Sequence, residues 1–257
     1  MARYHQWLAT AGLLLGCLAL TATPSGAQFQ LGGAVGTQPT YEGSKDYRIV
    51  GFPLIAPGGT GLSDRVSFGG IDDIRIRALS LGGFDFGPVV GYRFGRDESD
   101  AARLAGLGTV DGGIVLGGYA AYGIGPLSAF AAYNHQVMGD GTGGVLRFGL
   151  DAKSEFAGFG LKGTIGATWA SEDYMDSYFS VTASQAASSH LAKYDASAGI
   201  KDIYMGIGAD LPIADRLKLV LSARYSQLVG EAGASPIVEA KDQYFAGAGI
   251  TYTFGGL

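Results

Sequence analysis

The chain predicts an all-β fold, an antiparallel transmembrane β-barrel of about 12 strands preceded by a cleaved signal peptide, on three observations. First, 47% of the 257 residues are apolar and the mean hydropathy is +0.19. Yet beyond the N-terminus no apolar run reaches the roughly 18 residues a membrane helix needs, so apolar content is high without any helical span. Second, apolar and polar residues alternate with period two over segments of about ten residues, the length a tilted strand needs to cross a bilayer. Third, aromatic residues gather at the ends of those segments (Tyr92, Phe94, Tyr122, Tyr133, Trp169, Tyr225, Tyr252, Phe254), where a barrel places its interfacial girdles.

Taken in order, the first element is an export signal. Arg3 supplies the positive start, Leu8 to Leu20 an apolar stretch too short to span, and Ser25-Gly26-Ala27 the small residues of a cleavage site. Residues 1–27 are therefore expected to be a signal peptide, and residues 28–257 one outer-membrane β-barrel domain. Leu14-Leu15-Gly16-Cys17 resembles a lipobox and offers a lipidated Cys17 as the alternative, but the apolar run continues past it.

The strands follow. Arg65 to Leu81 contains Gly69-Gly70-Ile71-Asp72-Asp73, which splits it into two short strands and brings the count to twelve, with ten as the alternative. In the next strand Phe84, Phe86, Val90, Tyr92 and Phe94 alternate with Asp85, Gly87, Gly91 and Arg93. Leu146, Phe148 and Leu150 then alternate with Arg147, Gly149 and Asp151. The pattern returns at Phe159 to Trp169, Ile203 to Leu211, Leu217 to Tyr225, and Tyr244 to Phe254. Short connections fall near Gly123–Pro126, Ala157–Gly158 and Pro212–Asp215, long ones at Gly95–Asp111, Glu172–Asp195 and Gly230–Lys241. Bacterial barrels keep short turns in the periplasm and long loops outside, which orients the chain.

This parity turns Arg75, Arg77, Arg93, Arg147, Lys153, Lys162, Lys218 and Arg224 into the lumen, together with Asp85, Asp151, Glu155, Asp202 and Asp210. Mixed signs in a narrow bore predict an internal salt-bridge network rather than a single-sign selectivity ring. The loop Glu172–Asp195 carries Tyr174, Tyr178 and Phe179. Exposed aromatics pack on something when they can, so the loop is expected to fold inward and close the mouth, its acids meeting Arg93 or Arg147. Deleting Ser177 to Ser189 is then expected to raise ion conductance.

Composition narrows the function. The formal net charge of −5 argues against a nucleic-acid partner, which meets a basic face. One cysteine excludes a disulfide framework and a cysteine-rich metal site. Gly158-Phe159-Gly160-Leu161-Lys162-Gly163 spells a dinucleotide fingerprint, but on an alternating strand with no helix behind it. His135 stands at a strand end and His190 beside Ser188 and Ser189, without the third group a hydrolase needs. No catalytic, cofactor-binding or metal-ligating residue is expected, and no cofactor.

Four stretches resemble the MipA/OmpV family of MltA-interacting outer-membrane proteins. They are Pro39 to Arg48 followed by Phe52-Pro53-Leu54-Ile55; Gly87-Pro88 with Gly91 to Arg96; Asp173-Tyr174, Tyr178 to Thr182, Gln185-Ala186, Leu191, Tyr194 and Ala198-Gly199; and Ser235 to Val238, ending in Tyr252-Thr253-Phe254. The resemblance implies a non-enzymatic barrel in the Gram-negative outer membrane, in contact with its lipid. It further implies a scaffold linking a lytic transglycosylase to a penicillin-binding protein in peptidoglycan turnover. Within the motif, Glu42, Asp46 and Arg48 are expected to pair inside one loop. A narrow channel for small polar solutes is the alternative.

Overall fold

The computed structural model describes residues 28–58 and 65–255; the N-terminal signal and Cys17 lie outside them. Alternation produces strands throughout: β1 (Gln28–Pro39), β2 (Tyr47–Gly58), β3 (Val66–Gly70), β4 (Asp73–Ile76), β5 (Leu79–Leu81), β6 (Phe84–Arg93), β7 (Gly113–Ile124), β8 (Leu127–Gln136), β9 (Gly144–Phe156), β10 (Phe159–Ala170), β11 (Gly199–Ala214), β12 (Leu217–Leu228) and β13 (Asp242–Phe254). They form one curled antiparallel sheet in the order β2-β1-β13-β12-β11-β10-β9-β8-β7-β6-β4-β3, with β5 also on β6. Because β4 and β5 lie end to end against β6, thirteen strands fill twelve positions around the wall.

The stretch 65–81 therefore breaks into three pieces rather than two. The reason lies in β6. Pro88 has no N–H to offer a neighbour, and Gly87 lets the backbone of Ile76 pass where a side chain would collide with its carbonyl. The partner strand breaks opposite these two residues. The ends of the sheet are compatible with proline. Among the described residues β2 and β3 are not paired with each other, and Pro53 and Pro57 lie in β2, an edge position being where a sheet tolerates proline.

Short turns collect at one end. Ala157 and Gly158 both take positive φ (51° and 82°), the geometry of a two-residue hairpin turn whose twist matches the strands. Among the described residues the long connections lie at the other end.

The alternation sorts the two faces as expected. Outward aromatics form two belts. Tyr47, Tyr92, Phe94, Tyr133 and Tyr244 stand toward the long-loop end, and Phe29, Phe84, Tyr122, Phe156, Phe159, Tyr252 and Phe254 toward the short-turn end, all exposed. Between them the outer face is mainly aliphatic, with Ile207 70% exposed and Phe68, Phe86 and Phe148 interspersed. A mainly aliphatic band between aromatic girdles is the outer surface of a membrane barrel. Arg75, Arg93, Asp151 and Asp202 point inward and are buried.

Candidate functional site: a capped mouth over a charged lumen

The long-loop end is closed by short helices. Ser171 caps α1 (Glu172–Phe179) by accepting from Tyr174 N–H (3.4 Å), and Glu172 and Asp173 in the first turn complement the helix dipole. Tyr174, Met175, Tyr178 and Phe179 fall on one face and are buried. They pack against Val145, Ala170, Ala196, Leu228 and Ala232, the last from α3 (Gly230–Ala234). A second cluster joins Tyr41, Leu104, Leu107, Val181 and Ile237. It is braced by α2 (Ala183–Ser188), where Thr182 and Gln185 form a reciprocal capping box. Tyr194 packs against both clusters. Full burial of a side chain such as Phe179 stabilises by about 1.5–3 kcal/mol, which offsets the ordering of these loops.

Polar bonds lock the cap to the wall. The Arg96 guanidinium donates to the carbonyls of Tyr178 (3.3 Å) and Ser177 (3.2 Å), placing a cation at the C-terminus of α1. Tyr178 donates to the Phe94 carbonyl (3.0 Å) and Ser235 to that of Phe179 (2.6 Å). Tyr41 donates to Glu239 (2.9 Å), which also pairs with Lys45 (2.9 Å). Burial pushes the Tyr178 hydroxyl up to about 12 and raises Tyr174 well above the ordinary tyrosine value.

Directly beneath, charged side chains bridge the lumen. Tyr174 donates to Glu42 (2.8 Å), and Lys201 joins Glu42 to Asp202, the latter at 2.6 Å. Thr168 donates to Asp202 (3.0 Å). Arg93 lies 4.9 Å from the Tyr174 ring centre and donates to Gly143 O (2.9 Å) and Asn134 (2.8 Å). Asn134 in turn donates to the carbonyl of Asp72 (2.5 Å), whose carboxylate pairs with Arg147 (2.7 Å). Arg75 pairs with Asp73 (2.6 Å) and covers the Phe130 ring at 4.0 Å. Nearer the short turns Lys162 meets Asp151 (3.4 Å) and Arg77 meets Asp85 (3.5 Å), while Lys153, Glu155 and Asp210 are exposed.

The loop 172–195 thus folds inward with its aromatics buried, as expected, but its acids do not reach the arginines. Glu172 accepts from Ala198 N–H (3.4 Å) and Asp176 from Ser180 (3.0 Å). Arg93 is held instead by carbonyls, an amide and a ring, and Arg147 by Asp72. Nor do Glu42, Asp46 and Arg48 pair together, since Glu42 reaches across to Lys201 and Tyr174. Strict parity had missed Lys201. The register of β10 on β11 shifts between Thr168 and Trp169, and this bulge turns both Lys201 and Asp202 inward. His135 Nδ1 lies 3.4 Å from the Tyr133 hydroxyl, and His190 is exposed. Among the described residues no group of three His, Cys, Asp or Glu is placed to hold a metal ion.

A family model described as MltA-interacting protein MipA matches residues 31–254. The chain is 25% identical over 195 residues to outer membrane protein Omp26La of Vibrio anguillarum, covering 76% of this chain and 72% of that one. It is 26% identical over 195 residues to outer membrane protein OmpV of Vibrio cholerae, covering 73% and 69%. Among solved structures, the translocator domain of the autotransporter NalP from Neisseria meningitidis overlays with a TM-score of 0.39 at 12% identity, covering 91% of each chain.

Proposed function

The chain belongs to the MipA family of outer-membrane proteins, and from that premise we propose that it is a non-enzymatic scaffold linking a lytic transglycosylase to a penicillin-binding protein in peptidoglycan turnover. The family's description as MltA-interacting supports the first partner. The observation that carries the reading is the closed mouth: with cap and wall locked together at the long-loop end, the inward charges that remain exposed, Lys153, Glu155 and Asp210, lie toward the short-turn end. Short turns face the periplasm, where murein and its enzymes lie. Residues 1–27 act in this reading as the removable export signal, so the mature protein starts at Gln28; N-terminal sequencing of the membrane-extracted protein tests that.

The partner experiment uses the full-length protein in outer-membrane vesicles, cross-linked with a purified lytic transglycosylase and a penicillin-binding protein, separately and together. The scaffold predicts that each is captured alone and that both enter one ternary complex. Capture of neither rejects it. The alternative, a narrow channel for small polar solutes, is favoured by the water access of Lys153, Glu155 and Asp210 in the lower lumen, and predicts conductance without partner capture.

A further inference from the structure

The lumen changes character along its length. In the short-turn half, the inward side chains Lys153, Glu155 and Asp210 are exposed. Above them Arg75, Asp73, Asp202 and Lys201 are each no more than 6% exposed. Exposure of the inward charges therefore falls from the short-turn half toward this layer.

That layer is built from strands that are not neighbours in the sheet. Arg147 projects from β9 and ends on Asp72 in the β3–β4 turn (2.7 Å). Three strands, β8, β7 and β6, separate β9 from that hairpin along the wall. Arg224 comes from β12, toward the other end of the sheet, and reaches the Gly69 carbonyl of β3 (3.4 Å) while stacking 3.7 Å over the Tyr204 ring. Two arginines from separate parts of the wall thus converge on one short hairpin, and Asn134 fixes the same turn through the Asp72 carbonyl. None of these bonds involves a residue of α1, α2 or α3.

We propose that the barrel is sealed twice in series: by the helical cap, and beneath it by Arg147 and Arg224 clamping the β3–β4 turn across the lumen. The second seal has its own bonds and holds when the first is gone. Shortening the loop alone, by deleting Ser177 to Ser189 or by more, therefore leaves the bore closed. An ion meets a second layer of charges below the cap, in which the Arg147 and Asp72 side chains are 12% and 20% exposed and transfer from water is costly. Conduction needs both layers released.

The test is planar-bilayer recording of four forms of the full-length protein: intact, residues 172–197 replaced by a short Gly-Ser turn, Arg147→Ala with Arg224→Ala, and the cap and arginine changes combined. Each form is first checked for a boiling-dependent gel shift. The proposal expects silence from the first three and discrete conductance steps from the combined form. Conductance of the cap-replaced form equal to that of the combined form would show that no second seal exists. Silence of a combined form that still shows the gel shift would show that the arginine clamp is not what closes the bore. Should the arginine double variant fail to assemble, Asp72→Asn weakens the Arg147 bond at constant volume, and Tyr174→Ser with Phe179→Ser loosens the cap without shortening the chain. These replacements carry the same expectations.

Discussion

Replacing Lys201 by methionine should loosen the whole mouth. Lys201 is 6% exposed and its ammonium is shared by Glu42 and Asp202. Methionine keeps much of the stem's volume and removes the charge, leaving two carboxylates facing each other in a dry layer. Removing one partner of a buried pair costs about 3–5 kcal/mol. Here the loss is reduced, because Asp202 keeps the Thr168 hydroxyl and a longer contact with Arg224 (3.9 Å), and Glu42 is 25% exposed and keeps the Tyr174 hydroxyl. The expected loss is therefore about 2–3 kcal/mol. Trp169 is the one tryptophan beyond residue 27, and it pairs with Ile200, the neighbour of Lys201. Its fluorescence during urea unfolding from lipid vesicles reports the site directly. Adding Asp202→Asn to Lys201→Met should recover part of the loss, since groups in one network do not add. A shift below about 0.5 kcal/mol, the range of a neutral surface change, would show that Lys201 does not hold the two carboxylates together.

Three further outcomes follow. Ile207 lies midway along β11 on the outer face, so Ile207→Arg should destabilise by about 2–4 kcal/mol; Leu219→Arg, three residues into β12 from its short-turn end, should cost about 0–1 kcal/mol, and equal costs in urea unfolding would contradict the placement of the bilayer. Burial raises the Glu239 carboxyl, but its bonds to Lys45 and Tyr41 outweigh that and hold it below the ordinary glutamate value. Its contribution, small for so exposed a lysine, is thus present at neutral pH and lost only as pH falls through that lowered value. Limited proteolysis of the 229–241 loop should rise in that acid window, whereas Glu239→Gln should be cut more readily at neutral pH with no acid step. Finally, folded protein in detergent should migrate differently on gels before and after boiling, because its strand ladder is continuous from β2 around to β3; identical mobility would count against the barrel.

The wall was legible in the sequence because one face of each strand meets hydrocarbon and the other meets the lumen, and that difference writes a period of two. Turns were legible through glycine and proline, as at Ala157–Gly158. The cap was legible only as a conflict, Tyr174, Tyr178 and Phe179 in a loop. Its helices had local signals that went unread: Ser171 before two acids, and Thr182 three residues before Gln185. Partners across the lumen were not legible. Asp72 meets Arg147 and Glu42 meets Lys201 through space, at sequence separations of 75 and 159, and no local pattern encodes which charges meet. Lys201 was hidden further, because a bulge reverses the parity on which its direction was read.

In the proposed reading, this outer-membrane barrel is closed at its long-loop end and acts as a scaffold rather than a conduit. Planar-bilayer recording of the intact, unmodified protein tests it most directly. A closed scaffold gives a silent bilayer under conditions where a known porin conducts. Steady conductance steps from the intact protein would contradict it, and would move the function to solute passage.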